Sequence, residues 1–323
     1  MTELVTFGET PLRFSPPGSQ RLEMAREATI YADGLESNVA VAAHELGTEA
    51  MWLSKLPDNP LGRRVRRQLQ QQGIESHVAW TDDENHRQGL KFRESATHPR
   101  ESKTWHDQEN TAAATAKPGD FPMGTVQSSE VLFVGMSTML LSQDAANTAQ
   151  ALMRASSGGG AITATDLDYK ASFADPKRYR KALEAISEHL DLLVATAEDA
   201  RTVLDRSGGA RELANVIAAD YNLERVVITR SERGAVAMHN TPGTNVIHER
   251  DAIETDTAAD PTGQHGAFVG GFLHELANDG DTARSLSVAV ATATLARTIP
   301  GPFLTLTEDE IEPVVDRVVD ASK

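Results

Sequence analysis

A polar turn containing glycines runs directly into an apolar helix pattern near the end of the chain. Residues 260–273 read DPTGQHGAFVGGFL. The first N–H groups of a helix lack partners within the helix and carry partial positive charge, so they can hold a phosphate. Glycines such as Gly263 and Gly266 let a phosphate approach the backbone closely. The pattern predicts a phosphate site, and close packing of a glycine-containing helix on a sheet is the alternative interpretation.

Polar residues also stand directly after three short apolar runs. They are Gly8 and Glu9, Ser137, and the pair Asp166 and Asp168. Ligands of parallel sheets bind beyond the carboxyl ends of the strands, which is where these residues would lie. The two aspartates could bind a cation or a sugar, and they could equally cap a helix.

The elements that would position these residues alternate between strand and helix patterns. Strand patterns occupy residues 4–7, 131–134, 161–165, 192–195 and 226–229, and helix patterns occupy residues 38–46, 61–72, 144–155, 176–189 and 210–221. The alternation predicts an α/β fold in which a doubly wound, mostly parallel sheet carries helices on both faces. We find no linker or repeat, so one domain is predicted over residues 1–323. The SSGGG segment at 156–160 is predicted to be a flexible turn.

Two polar segments, about 10–32 and 85–116, interrupt this alternation. They contain short extended pieces such as Leu90–Arg93. We predict a small β element laid over the main domain, because such a cover commonly closes a site and excludes water. A pair of long surface loops is the alternative.

The charge of the chain argues against two classes of partner. The 323 residues include 47 acidic and 31 basic side chains, which gives a net charge of −16. Nucleic acids and anionic membranes both require a basic face, so neither is an expected partner. Only 8 of the basic residues are lysines. Acid excess with few lysines is typical of a high-salt cytoplasm, where dissolved ions screen the repulsion; an ordinary acidic enzyme is the alternative.

Other features limit the location and the kind of site. There is no cysteine, which excludes disulfides and thiolate metal sites. The ten histidines have no spacing typical of a metal site. No apolar run approaches the length of a membrane helix, and the N-terminus does not resemble a signal peptide. These features predict a cytoplasmic protein with no metal site of its own.

The C-terminal segment resembles the signature D-T-x-G-A-G-D-A-F-x-x-G-F of the ribokinase-like (PfkB-type) carbohydrate kinases. The matching residues are Asp260, Thr262, Gly263, Ala267, Phe268, Gly271 and Phe272. Residues 33–40 are similar to the sugar-binding G-G-x-x-x-N-x-A motif of that family. Within the family, residues 8–17 and the strand-like 88–94 look most like 2-keto-3-deoxygluconate kinases.

The resemblance implies a ribokinase-like fold with a β lid, phosphoryl transfer from ATP to a sugar or sugar acid, and a requirement for Mg²⁺. It suggests 2-keto-3-deoxygluconate as the substrate and a homodimer formed through the lid. It implies a sugar site at Asp33, Gly34, Asn38, Lys91, Asp107, Asp166, Asp168 and Lys170. It implies a nucleotide site at Thr196, Asp199, Thr229, Ser231, Gly234 and Asp260, and catalysis at Gly263, His265 and Gly266.

Several of these positions depart from the family pattern. Gly266 stands where the family places its general base, an aspartate. Thr196 and Asp199 replace the ends of the magnesium motif N-x-x-E, and Ser231 replaces a nucleotide-side glycine. Five further differences fall in the sugar site: Asp33 for Gly, Lys91 for Tyr, Asp107 for Arg, Asp168 for Asn and Lys170 for Arg.

These departures leave three hypotheses open. The chain is a working sugar kinase, or a pseudokinase that binds nucleotide, sugar or a partner without turnover. The third is a different reaction that uses His265, because neutral imidazole can act as a base near pH 7. His265 could instead merely fill the emptied anion pocket.

Overall fold

Short runs of aliphatic and β-branched residues form the strands of the computed structural model, which describes residues 2–241, 243–255 and 261–322. The strands are β1 Leu4–Phe7, β2 Leu12–Ser15, β3 Thr29–Ala32, β4 Ala50–Pro57, β5 Glu75–Thr81, β6 Leu90–Glu94, β7 Lys103–Asp107, β8 Val131–Gly135, β9 Ile162–Asp166, β10 Leu192–Thr196, β11 Arg225–Thr229, β12 Ala235–Thr241 and β13 Thr244–Arg250. Nine of them form the main sheet, in the order β13-β12-β11-β10-β9-β8-β1-β4-β5. All neighbours in it are parallel except those of β12.

Amphipathic helices cover both faces of this sheet. They are α1 Leu35–Glu45, α2 Pro60–Gln71, α3 Met123–Gln127, α4 Met136–Met139, α5 Gln143–Gly159, α6 Pro176–Ile186, α7 Ala197–Leu204, α8 Ala210–Tyr221, α9 Gln264–Ala277, α10 Thr282–Ala296 and α11 Glu308–Ala321. Side chains of α1, α2, α9, α10 and α11 form one hydrophobic core with the sheet, and those of α3–α8 form the other. The predicted doubly wound α/β fold is confirmed.

The remaining four strands form a small sheet in the order β3-β2-β6-β7. Both polar segments contribute to it, as the cover hypothesis predicts: β2 and β3 come from the first, and β6 and β7 from the second. We call this sheet the lid. The end of the second segment departs from the prediction, because Ala112, Ala113 and Ala116 are buried where the chain contacts α5 and β4.

The segment 156–160 is not the flexible turn that its composition predicts. Helix α5 continues through it to Gly159, and Gly160 ends the helix with a φ of 90°. Ser156 is buried, and a Cβ on Gly159 would lie 2.0 Å from the carbonyl oxygen of Gln127. Close packing therefore explains glycine at position 159, and the left-handed helix end explains it at 160.

Glycines inside α9 allow it to approach two other helices. A Cβ on Gly270 would lie 2.6 Å from the Cβ of Ala42 in α1. A Cβ on Gly271 would lie 2.4 Å from the Oγ1 of Thr292 in α10. The packing interpretation therefore holds for these two glycines, although their partners are helices rather than the sheet.

Candidate active site

Two cavities lie at the carboxyl ends of the central strands, and the beginning of α9 lines the larger of them. The smaller one is a polar pocket between the lid and the main sheet, and it includes Lys91 and Lys170. The larger one, of about 370 Å³, extends from His265 past Thr229 toward α10. We call them the lid pocket and the α9 cavity.

Lys91 and Asp33 form a buried ion pair in the lid pocket. The Lys91 Nζ lies 2.8 Å from Asp33 Oδ2, and the Arg13 guanidinium lies 3.4 Å from the same oxygen. Burial opposes the charge on Asp33, but the two cations hold the pKa of that carboxyl below its ordinary value. Burial lowers the pKa of Lys91 despite Asp33. The Asp33 carboxylate is therefore the counter-ion of both Lys91 and Arg13.

A second ion pair follows β9. The Lys170 Nζ donates to Asp168 Oδ2 at 2.6 Å and to Ser137 Oγ at 3.1 Å, and Ser137 also donates to Asp168. Burial disfavours both charges, yet the pair keeps the pKa of Asp168 below and that of Lys170 above the ordinary values. Lys170 and Ser137 line the lid pocket. The structure brings these two residues together with Lys91, as the resemblance implies for Lys170.

The first turn of α1 forms another wall of the lid pocket. Gly34 is the N-cap of α1, and a Cβ there would lie 2.3 Å from the carbonyl oxygen of Glu9. Asn38 Nδ2 donates to Asp33 Oδ1 at 2.9 Å. Asn38 Oδ1 is buried and accepts no hydrogen bond within the described residues. It is therefore a buried acceptor without a partner among the described residues, and Asn38 is not among the residues that line the pocket.

Asp107 does not lie in the lid pocket, which corrects its predicted place in the sugar site. Side chains alternate along β7, so Asp107 and His106 occupy opposite faces. Asp107 is 50% exposed and pairs with Arg87. His106 and Gln108 line the pocket instead. His106 pairs with Lys91 across β6 and β7, so the two side chains lie on the same face of the lid. The sequence interpretation missed this pairing and therefore did not place His106 in the site.

Two buried glutamates in the lid pocket were also missing from the predicted site. Glu36 accepts from the backbone N of Gly135 at 3.1 Å and from Thr138 Oγ1 at 2.6 Å. Glu9 accepts from Gln108. Burial raises the pKa of each glutamate to about 7. The sequence shows that Glu36 is an acid between Gly34 and Asn38 of the sugar motif. Only the structure shows that this acid is buried.

His265 lies in the wall of the α9 cavity. Its Nε2 lies 2.7 Å from the Oδ2 of Asp166, the last residue of β9. Burial opposes the charge on the ring, but Asp166, Asp168 and Asp199 together raise the pKa of His265 to about 9. The imidazole therefore holds its proton at pH 7, and this state does not fit the predicted role as a neutral base. Asp166 binds His265 rather than facing the lid pocket.

Four of the six predicted nucleotide residues line the α9 cavity, and Asp199 is not among the residues of its wall. Thr196, Thr229, Ser231 and Gly234 all contribute to its wall. Gly234 has a φ of 84°, and a Cβ there would lie 2.0 Å from the carbonyl oxygen of Arg250, so glycine is required. Ser231 has a φ of 56° in spite of its side chain. The predicted Asp260 lies outside the described residues.

The sequence interpretation missed the apolar wall of the α9 cavity. This wall contains Ile253, Phe268, Val290 and Ala293. Such side chains provide a surface for the flat face of a nucleotide base. The threonines and the serine at the rim provide polar contacts. In the sequence these residues look like ordinary apolar core residues, so the pattern did not mark them as part of a binding site.

Comparisons with known proteins agree with this geometry. The chain matches the pfkB family carbohydrate kinases over residues 1–308. It is 41% identical over 313 residues to a 2-dehydro-3-deoxygalactonokinase of Haloferax volcanii, a match that covers 97% of this chain and 96% of that protein. This chain belongs to the pfkB family of carbohydrate kinases. A 5-dehydro-2-deoxygluconokinase of Geobacillus kaustophilus is 24% identical, with 85% of this chain and 81% of that protein covered.

Solved structures of pfkB-family proteins share the fold. The 2-dehydro-3-deoxygluconokinase of Thermotoga maritima superposes with a TM-score of 0.87 at 26% identity, covering 98% of this chain and all of that one. A putative Ribokinase II of E. coli in complex with ATP and Mg²⁺ gives a TM-score of 0.83 at 17% identity, with 98% and 100% covered. The predicted family and ribokinase-like fold are confirmed.

Glycine at position 266 leaves this pfkB-family chain without a carboxylate at the family's base position. A Cβ on Gly266 would lie 2.6 Å from the Cβ of Asn38, so α9 contacts α1 directly there. A Cβ on Gly263 would lie 2.6 Å from the carbonyl oxygen of Pro302. Both predicted catalytic glycines thus have close protein neighbours, and their lack of a side chain has a packing cause.

Asp199 is the residue whose surroundings fit a divalent cation. Burial raises the pKa of Asp199 to about 6, and Asp166 and Asp168 add to the effect. A carboxylate in such negative surroundings gains from a bound cation. Within residues 2–241, 243–255 and 261–322, no group of three or more acidic or histidine side chains could hold a metal by itself. A Mg²⁺ here would therefore depend on water and phosphate ligands as well.

No helix in the described part of the chain is long and apolar enough to cross a membrane.

Proposed function

We propose that this chain is an ATP-dependent kinase of a small 2-keto-3-deoxy sugar acid. The observation that carries the proposal is the pair of half-buried lysines in the lid pocket. Lys91, Lys170 and Arg13 supply three cations, against the two carboxylates of Asp33 and Asp168. Glu9 and Glu36, whose pKa values lie near 7, are each about half ionised at neutral pH. When both hold their protons, the group has one positive charge in excess, which complements one substrate carboxylate.

The relatives support the same substrate class. The Haloferax volcanii relative is named a 2-dehydro-3-deoxygalactonokinase, and the Thermotoga maritima structure a 2-dehydro-3-deoxygluconokinase. Both named substrates are keto-deoxy acids that carry one carboxylate. The family's carboxylate-binding arginine is absent at the position of Asp107, so we assign that contact to Lys91 and Lys170.

The chain's own residues divide the work between binding and orientation. The two lysines hold the carboxylate, while Asn38 Oδ1 accepts from a sugar hydroxyl. The α9 cavity holds the nucleotide, with Thr229 and Ser231 on its polar rim. The N–H groups at the beginning of α9 face the phosphates. Bound through Asp199 and water, Mg²⁺ would neutralise phosphate charge.

A pseudokinase is the second candidate, and one observation favours it: position 266 has neither a carboxylate nor space for one. A positioned base contributes typically about 10²–10⁴ in rate. Phosphoryl transfer depends mainly on positioning and charge stabilisation, so turnover survives the loss of a base more readily than in most reactions.

The deciding measurement is ADP release in molar KCl with ATP, Mg²⁺ and a panel of sugars. We expect turnover with 2-keto-3-deoxygalactonate or 2-keto-3-deoxygluconate, and none with neutral sugars such as ribose and fructose. A Lys91→Met variant should raise KM for the acid roughly 10- to 100-fold, because a hydrogen bond to a charged group contributes about 1.5–3 kcal/mol. Lys103→Met is the matched control, since Lys103 is exposed on the neighbouring lid strand.

Two results would contradict the kinase. If ATP and the acid raise the melting temperature but no ADP is released, the pseudokinase is correct. If neutral sugars react as well as the acids and Lys91→Met has no effect on KM, the lysines do not select a carboxylate.

A further inference from the structure

His265 lies where the nucleotide and the sugar acid would meet. It belongs to the first turn of α9 and lines the α9 cavity. Its partner Asp166 ends β9, two residues before Asp168, which holds Lys170 in the wall of the lid pocket. A series of contacts therefore joins Lys170, in the wall of the lid pocket, through Asp168 and Asp166 to the ring in the wall of the α9 cavity.

The contacts of His265 fix both its charge and its orientation. The Asp166 carboxylate is 1% exposed and accepts a hydrogen bond from Nε2, while the imidazole is 34% exposed. In the described part of the chain Nδ1 has no hydrogen-bond partner, so this N–H can donate toward the cavity. The charged groups that face the ring are Asp166, Asp168 and Asp199. All three are carboxylates, and they favour the imidazolium.

We propose that His265 is a catalytic residue that acts as a fixed cation, and that its Nδ1–H binds the γ-phosphoryl oxygens of ATP during transfer. This inference rests on the proposed kinase function. It assigns to the histidine a role opposite to that of a base, since the ring keeps its proton throughout. Asp166 is the positioning residue that holds the ring and its charge.

Phosphoryl transfer can proceed without a carboxylate at position 266 to accept the hydroxyl proton. The substrate hydroxyl oxygen forms the new bond to the γ-phosphorus, and the bond from that phosphorus to the β,γ-bridging oxygen breaks. ADP leaves with the electron pair. The hydroxyl proton passes to an oxygen of the transferred phosphoryl group and then to water. Negative charge is spread over the phosphoryl oxygens in the transition state, where a preorganised cation is most effective.

The test compares His265→Gln with His274→Gln in the full chain. Glutamine keeps a donor but loses the charge, and His274 lies in the last turn of the same helix. We expect kcat to fall about 10²-fold for His265→Gln, with little change in KM for the sugar acid. His274→Gln should keep the kcat of the parent. A parent-like kcat in His265→Gln alongside a working parent overturns the inference and leaves the kinase function intact.

Nucleotide binding provides a readout that does not need turnover. By titration calorimetry the parent should bind ATP more tightly than ADP, and His265→Gln should lose about 10-fold of that preference. If the parent does not turn over but shows this difference, the kinase function fails and the histidine contact stands. If parent and variant prefer ATP equally, the contact is absent.

The pH dependence separates the charge from a merely structural role. The parent should keep its activity up to pH 8 and lose it as the pH rises through about 9. In Asp166→Asn the imidazolium loses its main stabiliser, so this alkaline loss should move toward pH 6.5, the ordinary range of histidine. Lys91 titrates in both proteins and cannot produce the difference. An unchanged alkaline limb in Asp166→Asn overturns the proposal.

Discussion

Gly266 shows how one residue can remove a chemical group and tighten a helix contact at once. Without a side chain at 266, the α9 backbone approaches Asn38, which is held in turn by Asp33. Both Lys91 and Arg13 lie against one carboxylate oxygen of Asp33. The base position and the sugar site are therefore joined through Asn38 by direct contacts.

Restoring an acid at this position should destabilise the protein. Gly266→Asp places a Cβ 2.6 Å from Asn38 Cβ, so α1 and α9 must separate. Overpacking of this kind typically costs about 1–3 kcal/mol. Chemical denaturation in molar KCl measures the loss. Gly124→Asp is the control, because a Cβ at Gly124 has no neighbour within 4 Å. Equal stability of the two variants would show that the helix contact yields without cost.

Residue types in the site were predictable from the sequence, whereas their orientations were not. Lys91, Lys170 and Asn38 were assigned to the site because their segments resemble motifs of the family. The exclusion of Asp107 depends on which face of β7 turns toward the site, and a shift of one residue reverses it. The charge of His265 depends on Asp166, which lies 99 residues away in sequence.

At the scale of elements, the lid presents two different faces. Arg13, Lys91 and His106 are neighbours across the strands and lie on the side of the ion pairs. The next row contains Phe14, Phe92 and Trp105. The rings of Phe14 and Phe92 stack with centroids 5.4 Å apart, and Trp105 is 48% exposed. Phe14 packs against the main core, so Trp105 is the exposed part of this row and the surface that a second copy could cover.

The homodimer through the lid stays a prediction, and this row provides its test. Trp105→Ser should convert a dimer into a monomer, because an exposed aromatic at the centre of an interface contributes strongly to association. Sedimentation velocity in molar KCl measures the mass. Trp80→Ser, at a side chain 37% exposed outside the lid, is the control. A parent that sediments as a monomer, or a dimer that survives Trp105→Ser, rules out this interface.

The fold as a whole was the most predictable level. Each predicted strand lies on an observed one, because buried parallel strands read as continuous apolar runs. The strands β4, β5, β12 and β13 were not recognised, since their mixed polar and apolar residues resemble helix and loop patterns. The order of the strands depends on long-range pairing, which the sequence pattern does not specify.

The net charge of −16 belongs to the molecule rather than to the site, where cations are gathered in the lid pocket. The surface repulsion should weaken as salt shortens the Debye length from about 10 Å at 0.1 M to about 3 Å at 1 M. The melting temperature should therefore rise steadily between 0.1 and 1 M KCl. Sucrose, which does not screen charge, controls for exclusion effects. An equal rise in sucrose, or none in KCl, would show that charge repulsion does not limit stability.

The contacts of α9 also bear on how this lineage can change. Positions 266, 270 and 271 each bring the helix against a neighbour at a distance that leaves no room for a Cβ. A mutation that moves the helix away at 266 disturbs its packing at the other two glycines, so reversion to an acid is not a single step. Directed evolution toward a faster enzyme should first accept changes at Asn38 or Ala42 that make space, and should recover an acid at position 266 afterwards.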